Sequence, residues 1–355
     1  MTKALFTPTT LGKLQLGNRI VMAPMTRSRA TGNVPNQLME NYYALRADAG
    51  LIITEGTSPS ANGLGYARIS GMFSDAQIQG WKRVTDAVHA RGGKIFVQLM
   101  HTGRVSHPAN MHEGTKIVAP SAQALAGDMW TDSDGMQPYP VPTEMSGEDI
   151  ATAIAEYAQA CRNAIAAGFD GVELHAANGY LIDQFLNTAS NQRSDQWGGS
   201  VENRIRFVVE VAKASAAAIG AERIGMRISP YGVFNGMKPD AKMDALYLRL
   251  VEALNETGLV YIHIVDHSSM GAPEVSPELK QKIRANFKGK YILSGGYDAA
   301  RADADLDAQK GDLVAFGRPF ISNPDLVNKL QKGGELTPPD MATFYTPGEK
   351  GYTDY

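Results

Sequence analysis

A closed parallel (β/α)8 barrel, in a single domain spanning residues 1-355, is the fold this sequence predicts. Three observations carry it. Short apolar runs alternate with amphipathic helical stretches, the pattern of βαβ units on a parallel sheet. Eight such runs occur, enough to close a barrel. Polar and glycine-rich motifs follow one run after another, as they do where barrel active sites gather at the C-terminal ends of the strands.

The strands are read, in order, at Ile20 to Ala23, Leu51 to Thr54, Ile95 to Leu99, Gly171 to Leu174, Ile224 to Ile228, Tyr261 to Val265, Tyr291 to Leu293 and Leu313 to Phe316. They are near-continuous apolar runs, as expected of strands covered on both faces. Helical spacing covers Gln37 to Ala47, Asp75 to Ala90, Gly147 to Ala167, Glu202 to Ile219, Met243 to Thr257 and Pro277 to Asn286. A barrel of this kind needs roughly 250 residues, so a chain of 355 carries additions. The longest is a loop after the third strand, His101 to Glu144, rich in Gly, Pro, Ser and Asp and expected over the barrel mouth. An N-terminal hairpin, Phe6 to Asn18 with its turn at Gly12-Lys13, is expected to plug the bottom, and the tail after Lys332 is the third addition. None reads as a linker between domains, although length alone does not choose between one domain and two.

Composition narrows the function. The 34 basic and 37 acidic residues leave a net charge of −3, with no basic block longer than a pair. That argues against a nucleic-acid or membrane-surface partner and for a small molecule. The opening Met1-Thr-Lys-Ala-Leu-Phe-Thr-Pro8 holds no apolar signal region, and no apolar run approaches bilayer length, so a cytoplasmic protein is expected. The single cysteine, Cys161, excludes an intramolecular disulfide and any multi-cysteine metal or iron–sulfur site, and no metal is expected.

The most informative run is His175-Ala-Ala-Asn178-Gly-Tyr180, read as lying just past the fourth strand. A histidine N–H and an amide N–H can share one carbonyl or nitro oxygen and stabilise the charge that builds there, while a nearby phenol delivers a proton. The plain alternative is a turn at Asn178-Gly179, with Tyr180 as an apolar anchor and His175 bonded to a backbone carbonyl. Gly295-Gly296 and Gly317-Arg318 end the seventh and eighth strands, where barrels commonly bind a phosphate through backbone N–H groups; Arg318 would add a charge-assisted contact. Gln98 and Arg227 sit on apolar strands and need buried partners, either a ligand or an internal hydrogen bond or ion pair.

Taken together, Val21-Met-Ala-Pro24-Met25-Thr26-Arg27, Thr54-Glu-Gly56-Thr57, Val97-Gln98-Leu99, the His175 run, Gly225-Met-Arg227-Ile-Ser229, Ser294-Gly295-Gly296-Tyr297 and Phe316-Gly317-Arg318-Pro319 resemble the signature set of the Old Yellow Enzyme family of flavin-dependent ene-reductases. The resemblance runs in order over nearly the whole chain. It implies tightly bound FMN, with NADPH or NADH as the reductant, and two half-reactions in ping-pong order at one shared pocket. Activated alkenes (α,β-unsaturated carbonyls, maleimides, nitro compounds) would be reduced at C=C, and the protein would be a monomer or homodimer. Carried over residue by residue, it implies that Gln98 and Arg227 meet the pyrimidine edge of the flavin, that Thr26 bonds its O4, and that Pro24, Met25 and Gly56 line the ring through their backbone. His175 and Asn178 would hold the substrate oxygen, Tyr180 would protonate the α-carbon, and Tyr345 would border the pocket. Thr26 and Asn178 resemble one branch of the family rather than the thermophilic-like branch, which carries cysteine and histidine there. Met100 departs from the family's usual tryptophan and reads as a flexible pocket wall. The absence of a Gly-x-Gly-x-x-Gly after a strand leaves no Rossmann site for a stored dinucleotide. Two other readings stay open on the residues alone: a non-redox barrel enzyme acting on a phosphorylated substrate, and a non-catalytic ligand carrier.

Overall fold

A computed structural model describes residues 3–355. An antiparallel hairpin, β1 (Thr9–Leu11) and β2 (Leu14–Leu16), precedes β3 (Ile20–Met22), α1 (Gln37–Ala44), β4 (Leu51–Thr57), α2 (Asp75–His89) and β5 (Ile95–Leu99). Four short strands follow: β6 (Val118–Ala119), β7 (Asp128–Thr131), β8 (Gly135–Pro138) and β9 (Thr143–Glu144). Then come α3 (Gly147–Ala166), β10 (Gly171–Ala176), α4 (Leu181–Leu186), α5 (Val201–Ile219), β11 (Ile224–Ile228), α6 (Met243–Asn255), β12 (Tyr261–Val265) and α7 (Pro277–Asn286). The chain ends through β13 (Lys290–Ser294), α8 (Ala299–Asp307), β14 (Leu313–Phe316), α9 (Arg318–Ser322) and α10 (Leu326–Lys332). Strands β3, β4, β5, β10, β11, β12, β13 and β14 close into the expected parallel barrel, β14 pairing back onto β3.

The hairpin acts as a stopper. Leu11 and Leu16 are buried in an apolar cluster with Val21, Leu51, Ile53, Phe96, Tyr261, Ile292 and Leu313, the inward residues at the bottom of the barrel. Each such leucine contributes roughly 1.5–3 kcal/mol of burial. Outside the barrel, the helices present their apolar stripes to the strands, and α2 and α3 start with capping boxes at Ser74/Gln77 and Ser146/Asp149. These boxes satisfy backbone N–H groups that have no partner inside the helix. No helix among the described residues is long and apolar enough to cross a membrane.

Several strand ends differ from the sequence reading: β3 stops at Met22 rather than Ala23, β13 runs one residue further at each end, and two further differences bear on the site. Strand β10 continues past Leu174 because its ladder with β11 runs on through His175 opposite Arg227 and Ala176 opposite Ile228. His175 therefore lies on the strand itself, fixed by the sheet. Strand β4 continues past Thr54 across a bulge between Ile53 and Gly56. Helices α4, α8, α9 and α10 are not among those the periodicity picks out; α4 is 6 residues long and buried on every side, so it has no polar face to set a period.

The insertion after β5 folds into small pairs, β6 with β9 and β7 with β8. It is tied to the barrel rim by an ion pair between Arg68 and Asp132 and by Asn110 Nδ2, which donates to Gly65 O at 3.0 Å and Trp130 O at 2.8 Å. The C-terminal tail is equally anchored. The buried guanidinium of Arg29 donates to the carbonyls of Thr343 (2.9 Å), Phe344 (2.8 Å) and Lys350 (2.9 Å). Arg27 Nη2 donates to Gly351 O at 2.6 Å, and the Tyr352 ring stacks on Tyr42 with centroids 4.1 Å apart.

Candidate active site

Inward-facing positions on a barrel strand recur every second residue. On β10 they include Glu173 and His175, on β11 Gly225 and Arg227, on β12 Tyr261 and His263. Register sets Glu173 beside Gln98, His175 beside Arg227, and Arg227 beside His263. Gly225 has to be a glycine, because a Cβ there would lie 2.1 Å from the Tyr261 ring. That ring fills the space and brings its hydroxyl to Glu173 Oε2 at 3.0 Å. Glu173 also accepts from Gln98 Nε2 at 2.8 Å and pairs with His263 Nδ1 at 2.9 Å. Burial pushes the Glu173 carboxyl up, but His263, Arg227 and Gln98 outweigh it and hold the group below the usual carboxylate range. An ionised carboxylate accepts only, so Gln98 must turn its NH2 toward Glu173, leaving its carbonyl oxygen for the space above.

That space is a cavity of about 1080 Å³ at the C-terminal mouth of the barrel, lined by Pro24, Thr26, Gln98, Met100, His175, Asn178, Tyr180, Arg227 and Tyr345 among others. Sequence positions far apart in the chain thus meet at one face. The β7–β8 hairpin supplies Met129 and Trp130 to the wall, and the tail supplies Met341 and Tyr345. Other candidates lie beside the cavity rather than on its surface. Gly56 backs Met100, whose Sδ would sit 2.5 Å from a Cβ at position 56. Met25 packs near Gly317, its Sδ 3.6 Å from a Cβ placed there. Gly295 (φ 138°) and Gly296 (φ 62°) leave the end of β13 in conformations that suit glycine. Pairing of Ser294 with Ala315 sets them next to Gly317-Arg318, where Arg318 opens α9.

His175 is buried, and burial together with Arg227 pushes its pKa well below the ordinary histidine range. It is a neutral imidazole, with one donor and one acceptor. Its Nδ1 and the Nε of Arg227 are shielded and have no hydrogen-bond partner among the described residues. Leaving such atoms unpaired costs about 1–3 kcal/mol each. Tyr180, at the edge of the His175 ring with centroids 5.0 Å apart, is pushed by burial up to about 12 and stays a phenol at neutral pH. Asn178 takes the left-handed backbone conformation (φ 61°), which asparagine tolerates better than most residues.

Several functional neighbours escaped the sequence reading. Tyr66 shares a hydrogen bond of 3.1 Å with the Tyr180 hydroxyl. Asn178 is held by three elements: its N–H donates to Ser229 Oγ at 2.9 Å, its O accepts from Asn235 Nδ2 at 2.7 Å, and its Oδ1 lies 2.7 Å from His267 Nε2. Asp183 accepts from the Gly179 N–H at 2.8 Å, its carboxyl raised by burial to about 7. A signal existed for Glu173 and Asp183, since a carboxylate inside an apolar run must find donors. None existed for His267 or Tyr66, which come from other loops.

The family model described as NADH:flavin oxidoreductase / NADH oxidase matches residues 4–337. A chanoclavine-I aldehyde reductase of Penicillium roqueforti is 48% identical over 368 residues, covering 100% of this chain and 96% of that protein. A probable flavin mononucleotide-dependent alkene reductase of Leishmania infantum is 44% identical, covering 98% of this chain and 96% of the relative. Among solved structures, morphinone reductase superposes with a TM-score of 0.96 at 44% identity, covering 100% of this chain and 96% of the other. A structure of the same enzyme with tetrahydroNAD gives 0.95, covering 99% and 97%.

Proposed function

This chain belongs to the NADH:flavin oxidoreductase / NADH oxidase family, and from that premise we propose that it is an FMN-dependent ene-reductase whose residues 1-355 work as one unit. The observation that carries the reading is the convergence of two neutral donors and a protonated phenol, His175, Asn178 and Tyr180, on one cavity that Thr26, Gln98 and Arg227 also line. Those side chains fit a flavin. Gln98 offers an oxygen to an imide N–H, Arg227 offers a cation where negative charge accumulates, Thr26 offers a hydroxyl, and the glycines at the ends of β13 and β14, with Arg318, offer a phosphate corner. Met25 and Gly56 complete the wall from behind.

FMN held there would supply the two-electron chemistry that links oxidation of NADPH or NADH to reduction of the alkene. The residues do the rest. His175 and Asn178 each donate to the substrate oxygen, which orients the alkene and stabilises the enolate charge as it develops. A neutral His175 suits this, because it polarises the oxygen without giving up its proton. Tyr180 donates its proton to the α-carbon, and Tyr66, bonded to it, orients the phenol. Glu173 fixes Gln98 from below. Met100, Trp130 and Tyr345 bound the space that admits the substrate or the nicotinamide in turn.

The substrates we propose are enones, enals, maleimides and nitroalkenes, and the location cytoplasmic, as a monomer or homodimer without nucleic-acid partners. The test is optical. The purified protein should be yellow, bleach anaerobically with NADPH, and recolour on adding cyclohexenone. A colourless protein favours a non-redox barrel enzyme, and one that bleaches but does not recolour with any of these alkenes refutes the ene-reductase assignment.

A further inference from the structure

We infer that His267 is a positioning residue that fixes which end of the Asn178 amide faces the cavity. The inference rests on the reading that Asn178 donates to the substrate oxygen. An amide has an accepting end and a donating end of nearly equal shape, and only the donating end stabilises a developing oxyanion. Something must choose between them. The backbone of Asn178 is pinned by Ser229 and Asn235, but those bonds do not touch the side chain. The side-chain contact is His267 Nε2, 2.7 Å from Oδ1.

The chemistry of that contact is one-directional. Asn178 Oδ1 can only accept, so Nε2 of His267 carries the hydrogen, and Asn178 Nδ2, which has no protein partner among the described residues, is left for the cavity. With the other tautomer of the ring, Nε2 would accept from Nδ2 and the amide would present its oxygen to the substrate oxygen. Two acceptors would then face each other. Burial and the nearby Arg227 push His267 down to about 4, so the ring is neutral at working pH, and its contact with Oδ1 takes the Nε2–H tautomer. The ring is held in place by the edge of Phe234, with centroids 4.6 Å apart. His267 sits in the loop after β12 and Phe234 in the loop after β11, so two loops outside the catalytic run set the polarity of one of its side chains.

The experiment titrates the FMN-loaded protein with p-hydroxybenzaldehyde, whose phenolate over the flavin gives a long-wavelength charge-transfer band. His267→Phe keeps a ring against Phe234 but cannot donate; His267→Gln restores an N–H donor. The Phe variant should bind the phenol roughly 5- to 10-fold more weakly with a diminished band, and the Gln variant should return to within about twofold of the parent, the usual scale for one hydrogen bond. Unchanged binding in His267→Phe overturns the inference. So does a Gln variant as weak as the Phe variant, which would assign the loss to packing. If His267→Phe fails to retain flavin, His267→Ala is measured in its place against the same two outcomes. A parent protein that gives no band at all refutes the oxyanion reading beneath the inference, whereas a parent band with an indifferent His267 refutes the inference alone.

Discussion

Removing one oxygen atom from Tyr180 separates the two halves of the proposed cycle. Tyr180→Phe preserves the ring that packs at the edge of His175, so the cavity keeps its shape. What it loses is the proton and the 3.1 Å bond to Tyr66. The lost hydrogen bond costs about 1 kcal/mol of stability, small beside the stability of a folded domain. The lost proton is the larger effect, since general-acid assistance is worth roughly 10²- to 10⁴-fold in rate. Hydride transfer from the nicotinamide to the flavin needs no proton from this side chain, so that half-reaction should stay within a few-fold of the parent. Anaerobic stopped-flow reads each half in turn: bleaching at the flavin band with NADPH, then recolouring with cyclohexenone. The phenol is the competent form, and burial places its pKa at about 12. The parent recolouring rate should therefore be level from pH 6 to 9 and fall only as the pH rises toward about 12. Refutation would be recolouring in Tyr180→Phe at the parental rate, or a parental rate that already titrates away near pH 7.

Replacing His175 and Asn178 together by alanine should abolish the phenol charge-transfer band and weaken phenol binding by a few kcal/mol, since two hydrogen bonds to a charged group are lost; titration at equal flavin content decides it, and parental affinity would exclude the oxyanion role. Met100→Trp should lower kcat/KM for 2- or 3-substituted enones by roughly 10- to 200-fold while sparing cyclohexenone. Because Met100 packs on Gly56, Leu64 and Ile69, the larger ring should also lower Tm, by overpacking worth about 1–3 kcal/mol. Equal kinetic losses on both substrates would remove Met100 from selectivity. Asp183 has its folded-state pKa raised by burial to about 7, so its contribution to stability is present below the unfolded value and is lost as pH rises through 7. Asp183→Asn keeps an acceptor for the Gly179 N–H and removes the charge, so its Tm relative to the parent should rise between pH 5 and pH 8; a difference independent of pH would show that the folded carboxyl is already ionised across that range and its pKa is not raised.

Much of this protein was written in its sequence. Eight apolar runs separated by amphipathic stretches leave a closed parallel barrel as the way to bury every strand on both faces, and the Gly12 turn between two leucines is a local signal for the hairpin that seals it. His175, Asn178, Tyr180, Gln98 and Arg227 were legible because each is a polar residue on or just after an apolar strand, where burial without a purpose would be costly. Arg27 and Arg29 were visible in the first motif, but their role as clamps on the tail was not, since their partners lie more than 300 positions away. What only the tertiary structure decided is the company these residues keep. Ladder register, a long-range property, put His175 on β10 and turned Glu173 toward Gln98, and so fixed which end of that amide faces the cavity. Loop packing brought Tyr66 to Tyr180 and His267 to Asn178 across more than 80 residues of chain. A strand's residue types follow from its own need for burial, but the partner of a side chain is set by how separate strands and loops close in space, and no local pattern encodes that.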